Sequence, residues 1–168
     1  MSPELEFIRR EAERTAGSAS LDDLSRSPSD KWSPLQILEH LVLTYTATTR
    51  GLLRTMESGR PEPVQRTFSH RLRGFYVLGL GRFPGGIEAP KHTVPRAGLG
   101  DEPLRRFNDA LVAMDASLTD AERRFGQRTR VLPHPMLGPL TTRQWRRFHN
   151  VHGRHHLKQI SARLGRRA

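Results

Sequence analysis

The sequence predicts an all-α fold of four or five helices. Three observations lead to this prediction: two capping boxes, apolar stripes with a helical period, and the absence of sustained alternation between polar and apolar residues. Essentially no sheet is expected. The chain has 168 residues, which suits one domain spanning residues 1–168 with its own apolar core.

The first helix is expected over residues 3–15. Pro3 suits the first helical position, Ser2 precedes it as a candidate cap, and Gly17 lies just beyond the expected end. A polar linker rich in serine and aspartate is predicted to follow.

The second helix has the stronger start signal. Ser33, Pro34 and Gln36 form an N-cap, a proline in the first turn and a capping-box partner. The helix should continue to about Glu57. Near its beginning it is apolar almost all round, which is typical of a central, buried helix.

A third helix is predicted over residues 68–80, although two glycines weaken its pattern. In this helix Leu72, Phe75 and Tyr76 are expected to pack inward. A long stretch rich in glycine and proline follows over residues 82–100. Loops of this length in compact domains are binding loops, lids or disordered segments, and the sequence leaves its role open.

The fourth helix should begin at Asp101, with Pro103 in its first turn, and end at Gly126. A proline-rich loop follows over residues 131–140. A second capping box, Thr141 with Gln144, then begins the last helix, which should run to about Leu164.

Composition excludes several classes of function. There is no cysteine, so disulfides, thiolate metal ligands and a cysteine nucleophile are excluded, and a metal would need nitrogen or oxygen ligands. No stretch approaches the roughly 18 apolar residues of a membrane span, so no membrane association and a cytoplasmic location are expected.

The net charge of +11 raises nucleic acid as a partner. However, the 25 arginines and 3 lysines are scattered along the whole chain. Scattered charge is more typical of a solvated surface than of a nucleic-acid interface, and nucleic-acid binding is therefore not favoured.

The histidines carry the clearest chemical signal. His152 and His156 form an HxxxH pair, which places two imidazoles one helical turn apart on one face. At about 100° per residue this face coincides with the one that carries Phe148 and Ile160. The opposite face is expected to be in solvent and carries Arg147, Arg154, Lys158 and Ser161.

Buried imidazoles need partners for their ring nitrogens, and a shared metal ion would supply one for each. Hydrogen bonds to backbone or water would serve equally well. A metal would need a third ligand from a facing helix, and His40 is the histidine in the second helix. A partly buried structural role for His40 stays an alternative. His149 and His155 could be surface residues or could support the ligands.

Two segments resemble the DinB-like superfamily of metal-binding helical proteins. Residues 32–40 (WSPLQILEH) resemble its second-helix element. Residues 134–145 (HPMLGPLTTRQW) and 152–160 (HGRHHLKQI) are similar to the HPxxGxLTxxQW and HxxHHxxQI signature of one branch, related to YfiT-like metalloenzymes.

The resemblance implies a four-helix bundle of DinB type with one additional short helix and long loops. It implies a metal triad of His40, His152 and His156. Gln36 and Gln159 each lie one helical turn from a histidine of this triad, and this spacing makes them candidates to orient the imidazoles. His134 and His155 would lie near the same cavity, with a turn-capping role equally open for His134.

The resemblance also bears on function. A divalent ion held by three histidines would be zinc in the first instance, with nickel, iron or manganese as alternatives. The reaction would be thiol S-transfer with a low-molecular-weight thiol, or metal-assisted hydrolysis of a small-molecule substrate. Proteins of this superfamily often form homodimers, so a homodimer is one option and the oligomeric state stays open. The first alternative is a non-catalytic metal-binding or interaction module. A basic nucleic-acid binder is the second and less favoured alternative.

Overall fold

The computed structural model describes residues 1–27, 31–83, 88–96 and 98–165. Within these residues the protein is mostly helical, with one small two-stranded sheet. The α-helices are α1 (Pro3–Ala16), α2 (Leu21–Ser25), α3 (Pro34–Glu57), α4 (Phe68–Gly74), α5 (Pro103–Phe125) and α6 (Thr142–Arg163), and the strands are β1 (Arg130–His134) and β2 (Gly138–Thr141).

The four long helices share one core. Helix α3 packs mainly against α5, helix α1 packs mainly against α6, and further contacts join these two pairs. The side chains between them are leucines, isoleucines and a few aromatics, as the apolar stripes of the sequence predict. The predominantly helical fold is confirmed.

Both predicted capping boxes form. The hydroxyl of Ser33 accepts a hydrogen bond from the main-chain N–H of Gln36, and the side chain of Gln36 accepts one from Ser33 in return. Thr141 and Gln144 make the same pair of bonds at the start of α6. Each box satisfies two N–H groups that a helix start leaves open, and so fixes where α3 and α6 begin.

The expectation of no sheet was wrong for residues 130–141. β1 and β2 form an antiparallel hairpin in which Pro133 lies opposite Pro139. Because the two prolines are paired with each other, both missing N–H groups lie at the same position of the ladder. The residue pairs on either side can still form hydrogen bonds. Val131 and Leu140 are fully buried. Two strands of five and four residues, each interrupted by proline, are too short to show a clear period of two.

The third predicted helix also differs from expectation. Helix α4 ends at Gly74 and continues as a π-helical turn, Phe75–Gly79, which Leu80 closes by donating to the carbonyl of Phe75. Val77 is the buried side chain of this turn. Leu72, Phe75 and Tyr76 remain exposed, so the prediction that they pack inward was wrong: the wide turn carries an extra residue and presents Val77 to the core instead.

The polar linker after α1 contains the short helix α2. The hydroxyl of Ser20 accepts from the N–H of Asp23 at its start, and Leu24 is buried. One apolar residue within a run of serines and aspartates gives no periodic signal, so the sequence did not predict this helix.

The long loop over residues 82–100 is seen in part. A single 3₁₀ turn, Lys91–Thr93, lies against α3. Residues 84–87 and 97 of the predicted loop fall outside the described residues. Among the helices that the structure does describe, none combines the length and apolar character needed to cross a membrane.

Candidate metal centre

Three buried imidazoles converge between α3 and α6. His40 comes from α3, and His152 and His156 come from successive turns of α6. The Nε2 atom of His152 lies 3.3 Å from Nε2 of His40 and 3.0 Å from Nε2 of His156. One ring nitrogen from each residue lies within 4.8 Å of the other two. The structure thus brings together the three predicted ligands, in an arrangement that could hold a metal ion.

Hydrogen bonds set the protonation of the two outer imidazoles. Nδ1 of His40 lies 2.8 Å from the main-chain oxygen of Thr93, and Nδ1 of His156 lies 3.0 Å from Oε1 of Gln159. Because both oxygens only accept, each Nδ1 carries a proton. In the neutral ring the opposite nitrogen, Nε2, then presents a lone pair.

In this arrangement the three imidazoles have fewer N–H donors than lone pairs that need one. The Nε2 lone pairs of His40 and His156 both face Nε2 of His152, which can carry only one proton and can therefore satisfy only one of them. A cation would accept all three lone pairs at once. Zinc–nitrogen bonds of about 2.0–2.1 Å in a tetrahedral site separate the nitrogens by about 3.3 Å, close to the two distances from Nε2 of His152. The residues therefore fit a metal ion.

Burial keeps these histidines neutral. Burial lowers the pKa of His40, with the bond to Thr93 opposing the shift. Burial and the neighbouring histidines lower the pKa of His156 to about 3 and hold that of His152 well below its ordinary value. Neutral imidazole is the form that binds a metal, so few protons compete with the ion at neutral pH.

Aromatic rings enclose the three imidazoles. Phe148 is stacked on His152 with ring centroids 5.4 Å apart, and Phe83 approaches the same imidazole to 5.0 Å. Trp32 lies 5.2 Å from the ring of His40. These rings restrict the entry of water and hold the imidazole planes in place.

The loop over residues 82–100 is anchored beside the centre. The buried carboxylate of Glu39 accepts main-chain hydrogen bonds from Arg96 at 3.1 Å and from Gly98 at 2.9 Å. The next residue of α3, His40, is bonded to the same loop through Thr93. Sequence reasoning missed Glu39, Thr93 and Phe83 as parts of this region, although the adjacency of Glu39 to His40 was a signal that could have been used.

Two residues that were predicted to assist have other contacts. Gln36 is exposed, and its side-chain oxygen is bonded to the N–H of Ser33, so it does not orient His40. Nδ1 of His134 accepts from the main-chain N–H groups of Met136 and Leu137. His134 therefore closes the hairpin turn, the second of the two roles that the sequence left open.

Gln159 and His155 do lie beside the ligands. Gln159 donates from Nε2 to Nε2 of His155 at 3.0 Å while its oxygen accepts from His156. A short hydrogen-bonded chain thus leads from the half-buried His155 to a candidate ligand. On the outer face of α6, Ser161 is buried rather than in solvent as predicted, and α1, which packs against α6, brings Phe7 and Glu11 to the same small pocket.

His149 lies deeper in the core than expected. It is fully buried, and its Nε2 atom is 3.1 Å from the hydroxyl of Thr48. Burial, assisted by His134, lowers its pKa to about 3. His149 is therefore a neutral, structural residue one turn before His152, outside the group of three nitrogens.

Comparisons with known proteins place this centre within a family. Residues 4–163 match the model of a family described as "Protein of unknown function (DUF1569)". No curated protein and no solved structure matches the chain. The family match covers nearly the whole chain and includes all three converging histidines. The chain therefore belongs to the DUF1569 family.

Proposed function

We propose that this protein is a metal-dependent enzyme in which His40, His152 and His156 hold one divalent ion, zinc in the first instance. The observation that carries the proposal is the pair of Nδ1 hydrogen bonds, from His40 to Thr93 and from His156 to Gln159, which turn two Nε2 lone pairs toward His152. Hydrogen bonds within the trio leave one of these lone pairs unsatisfied, and a cation satisfies both.

Three neutral ligands leave the charge of the ion uncompensated, and such an ion acts as a Lewis acid that lowers the pKa of bound water or stabilises a substrate thiolate. The surrounding protein orients the ligands and limits the access of water. Thr93 and Gln159 fix the ring orientations, and Phe83 and Phe148 limit access of bulk water. A dry, oriented site increases the effect of the charge on a bound substrate.

The resemblance of residues 32–40, 134–145 and 152–160 to DinB-like proteins supports a reaction class. We infer membership of that superfamily and a bundle of its type. Thiol S-transfer with a low-molecular-weight thiol, or hydrolysis of a small molecule, is then the activity, carried out in the cytoplasm by a monomer or homodimer. Nickel, iron and manganese are the alternative ions, because imidazole suits each of them.

Elemental analysis of the purified protein tests the metal centre. We expect about one equivalent of a divalent metal per chain, lost in His152→Ala because two ligands alone bind weakly. His92 is exposed on the loop and provides the matched control, since His92→Ala should keep the ion. Equal metal content in both variants would overturn the site.

Activity requires a separate measurement. Turnover of 1-chloro-2,4-dinitrobenzene with a panel of small thiols, and of 4-nitrophenyl acetate without thiol, should depend on the bound metal and disappear in His152→Ala. Full turnover by metal-free protein would reject the enzymatic role. Metal binding without any turnover would point instead to a non-catalytic metal-binding module.

A further inference from the structure

A cleft of about 510 Å³ lies next to the metal centre. It opens between the π-helical turn after α4 and the outward face of α6, and its volume is in the range of small-molecule sites. Its lining includes four cationic side chains and four that are largely apolar: Arg82, Arg147, Arg154 and Lys158, and Tyr76, Leu80, Phe83 and Val151.

The cleft has an unbalanced positive charge. Of the residues that the structure describes, four cationic side chains line it and no carboxylate does. Among the described residues, none of these four forms an ion pair with an acidic side chain. In contrast, Arg146, the neighbour of Arg147 in α6, binds two carboxylates. Arg154 lies over the ring of Phe7 and helps to lower the pKa of Glu11, so the uncompensated charge of the cleft is chiefly that of Arg82 and Arg147. Cations in a concave site without counter-charges attract anions.

Arg147 is held in place for such a role. Its Nε atom donates to the main-chain oxygen of Leu78 at 3.3 Å, which leaves the four N–H bonds of its two Nη atoms for a ligand. Gly81 allows this position: its φ is +65°, and a Cβ atom there would lie 3.1 Å from Nη2 of Arg147. A fixed, planar guanidinium suits bidentate binding of a carboxylate or phosphate.

One wall of the cleft is apolar, while Asn150 and His155 add polar groups elsewhere in its lining. Tyr76 and Leu80 are exposed and line it, as does Phe83. Phe83 also contacts the imidazoles of His152 and His155, so the ligand would lie against the wall that separates the cleft from the metal centre. An apolar surface beside fixed cations favours a ligand with an anionic group on an apolar body.

We propose that this cleft binds a small organic anion, a carboxylate or phosphate carried on an aromatic or aliphatic body. Arg147 and Arg82 bind the anionic group, and Tyr76, Leu80 and Phe83 contact the body. Identifying this ligand as the substrate rests on the proposed function. The binding itself depends on the cleft residues alone.

Titration calorimetry with phenylphosphonate, which carries a dianion on one aromatic ring, tests the proposal. We expect binding to the wild-type protein, weaker binding of inorganic phosphate, and no measurable binding of neutral benzyl alcohol. The double variant Arg82→Gln/Arg147→Gln should weaken phenylphosphonate binding about tenfold or more, because charge-assisted hydrogen bonds are lost. Lys158→Gln, on the exposed side of α6, is a second variant that removes one cation of the cleft and leaves the core untouched, and it should change phenylphosphonate binding in the same direction.

The control accounts for the net charge of the whole protein. Arg10→Gln/Arg128→Gln removes the same charge from exposed sites away from the cleft and should leave the affinity unchanged. Equal weakening in both double variants, or absence of phenylphosphonate binding up to about 10 mM, would overturn the proposal. His152→Ala should still bind phenylphosphonate. In the wild-type protein, phenylphosphonate binding without a bound metal would reject the metal centre alone, and a bound metal without phenylphosphonate binding would reject the anion site alone.

Discussion

The main-chain oxygen of Thr93 lies 2.8 Å from Nδ1 of His40 and accepts a hydrogen bond from it. The loop over residues 82–100 is therefore part of the candidate metal centre, since it determines which nitrogen of His40 presents a lone pair. Because the acceptor is a backbone atom, replacing the Thr93 side chain does not remove it. The contact has to be tested through the residue that anchors the loop.

That anchor is Glu39, and we expect Glu39→Gln to weaken metal binding. The amide would place a donor where one carboxylate oxygen now accepts from Arg96 or Gly98, so one of these bonds is lost and the loop moves away from α3. Loss of a contact that orients a ligand lowers metal affinity by about tenfold or more. A competition titration against a chromophoric chelator measures the change.

Glu57→Gln is the matched control, because Glu57 is an exposed carboxylate at the end of the same helix. Hydrogen exchange should become faster in residues 88–96 of Glu39→Gln and stay unchanged in the control. Unaltered exchange together with unaltered affinity would show that Glu39 does not hold the loop.

The second prediction concerns Gln159, which accepts from His156 at 3.0 Å. Gln159→Leu removes the acceptor and frees the ring to turn or to change tautomer, so metal affinity should fall by about 10- to 100-fold. Gln159→Glu keeps an acceptor at the same place and should retain affinity. Gln65→Leu, in an exposed loop, controls for the loss of a surface amide. Similar losses in the leucine and glutamate variants would contradict this role.

The sequence predicts this region unevenly, for physical reasons. His40, His152 and His156 could be identified because helical spacing and the resemblance both depend on side chains. The contact from Thr93 could not, because any residue type offers a main-chain carbonyl. The hairpin was missed because Pro133 and Pro139 give the segment a loop-like composition. The two prolines are paired with each other across the hairpin, and this pairing lets both strands accommodate a proline.

Arg146 provides a test of the packing between α5 and α6. Its guanidinium donates to Asp115 and Glu122, both at 2.7 Å, and hydrogen bonds from Arg146 lower the pKa of Glu122. Arg146→Met would remove the guanidinium partner of the buried carboxylate of Asp115 and of the half-buried carboxylate of Glu122, so the free energy of unfolding should fall by about 3 kcal/mol. Urea denaturation followed by circular dichroism measures this.

Arg105 offers the contrasting case. It also pairs with two carboxylates, but its side chain is 58% exposed against 13% for Arg146. Arg105→Met should therefore change the free energy of unfolding by less than about 1 kcal/mol. Equal effects of the two substitutions would indicate that burial does not decide the strength of these pairs.

The last prediction uses the depressed pKa of His149. Burial lowers this pKa to about 3 in the folded protein, whereas an unfolded histidine has a pKa near 6.5. Between these values the unfolded state binds the proton and the folded state does not. The contribution of His149 to stability is therefore fully present above about pH 6.5 and declines as the pH falls toward about 3, by up to about 1.4 kcal/mol per pH unit.

Unfolding in urea at several pH values, with chelator present so that metal binding does not contribute, tests this sign and size. His149→Gln cannot titrate, so its free energy of unfolding should fall less steeply between about pH 6 and pH 4.5 than that of the wild-type protein, by up to about 1.4 kcal/mol per pH unit. His92→Gln removes an exposed histidine and should follow the wild-type slope. A wild-type slope in His149→Gln would mean that His149 can be protonated without unfolding, through access to solvent that its full burial argues against.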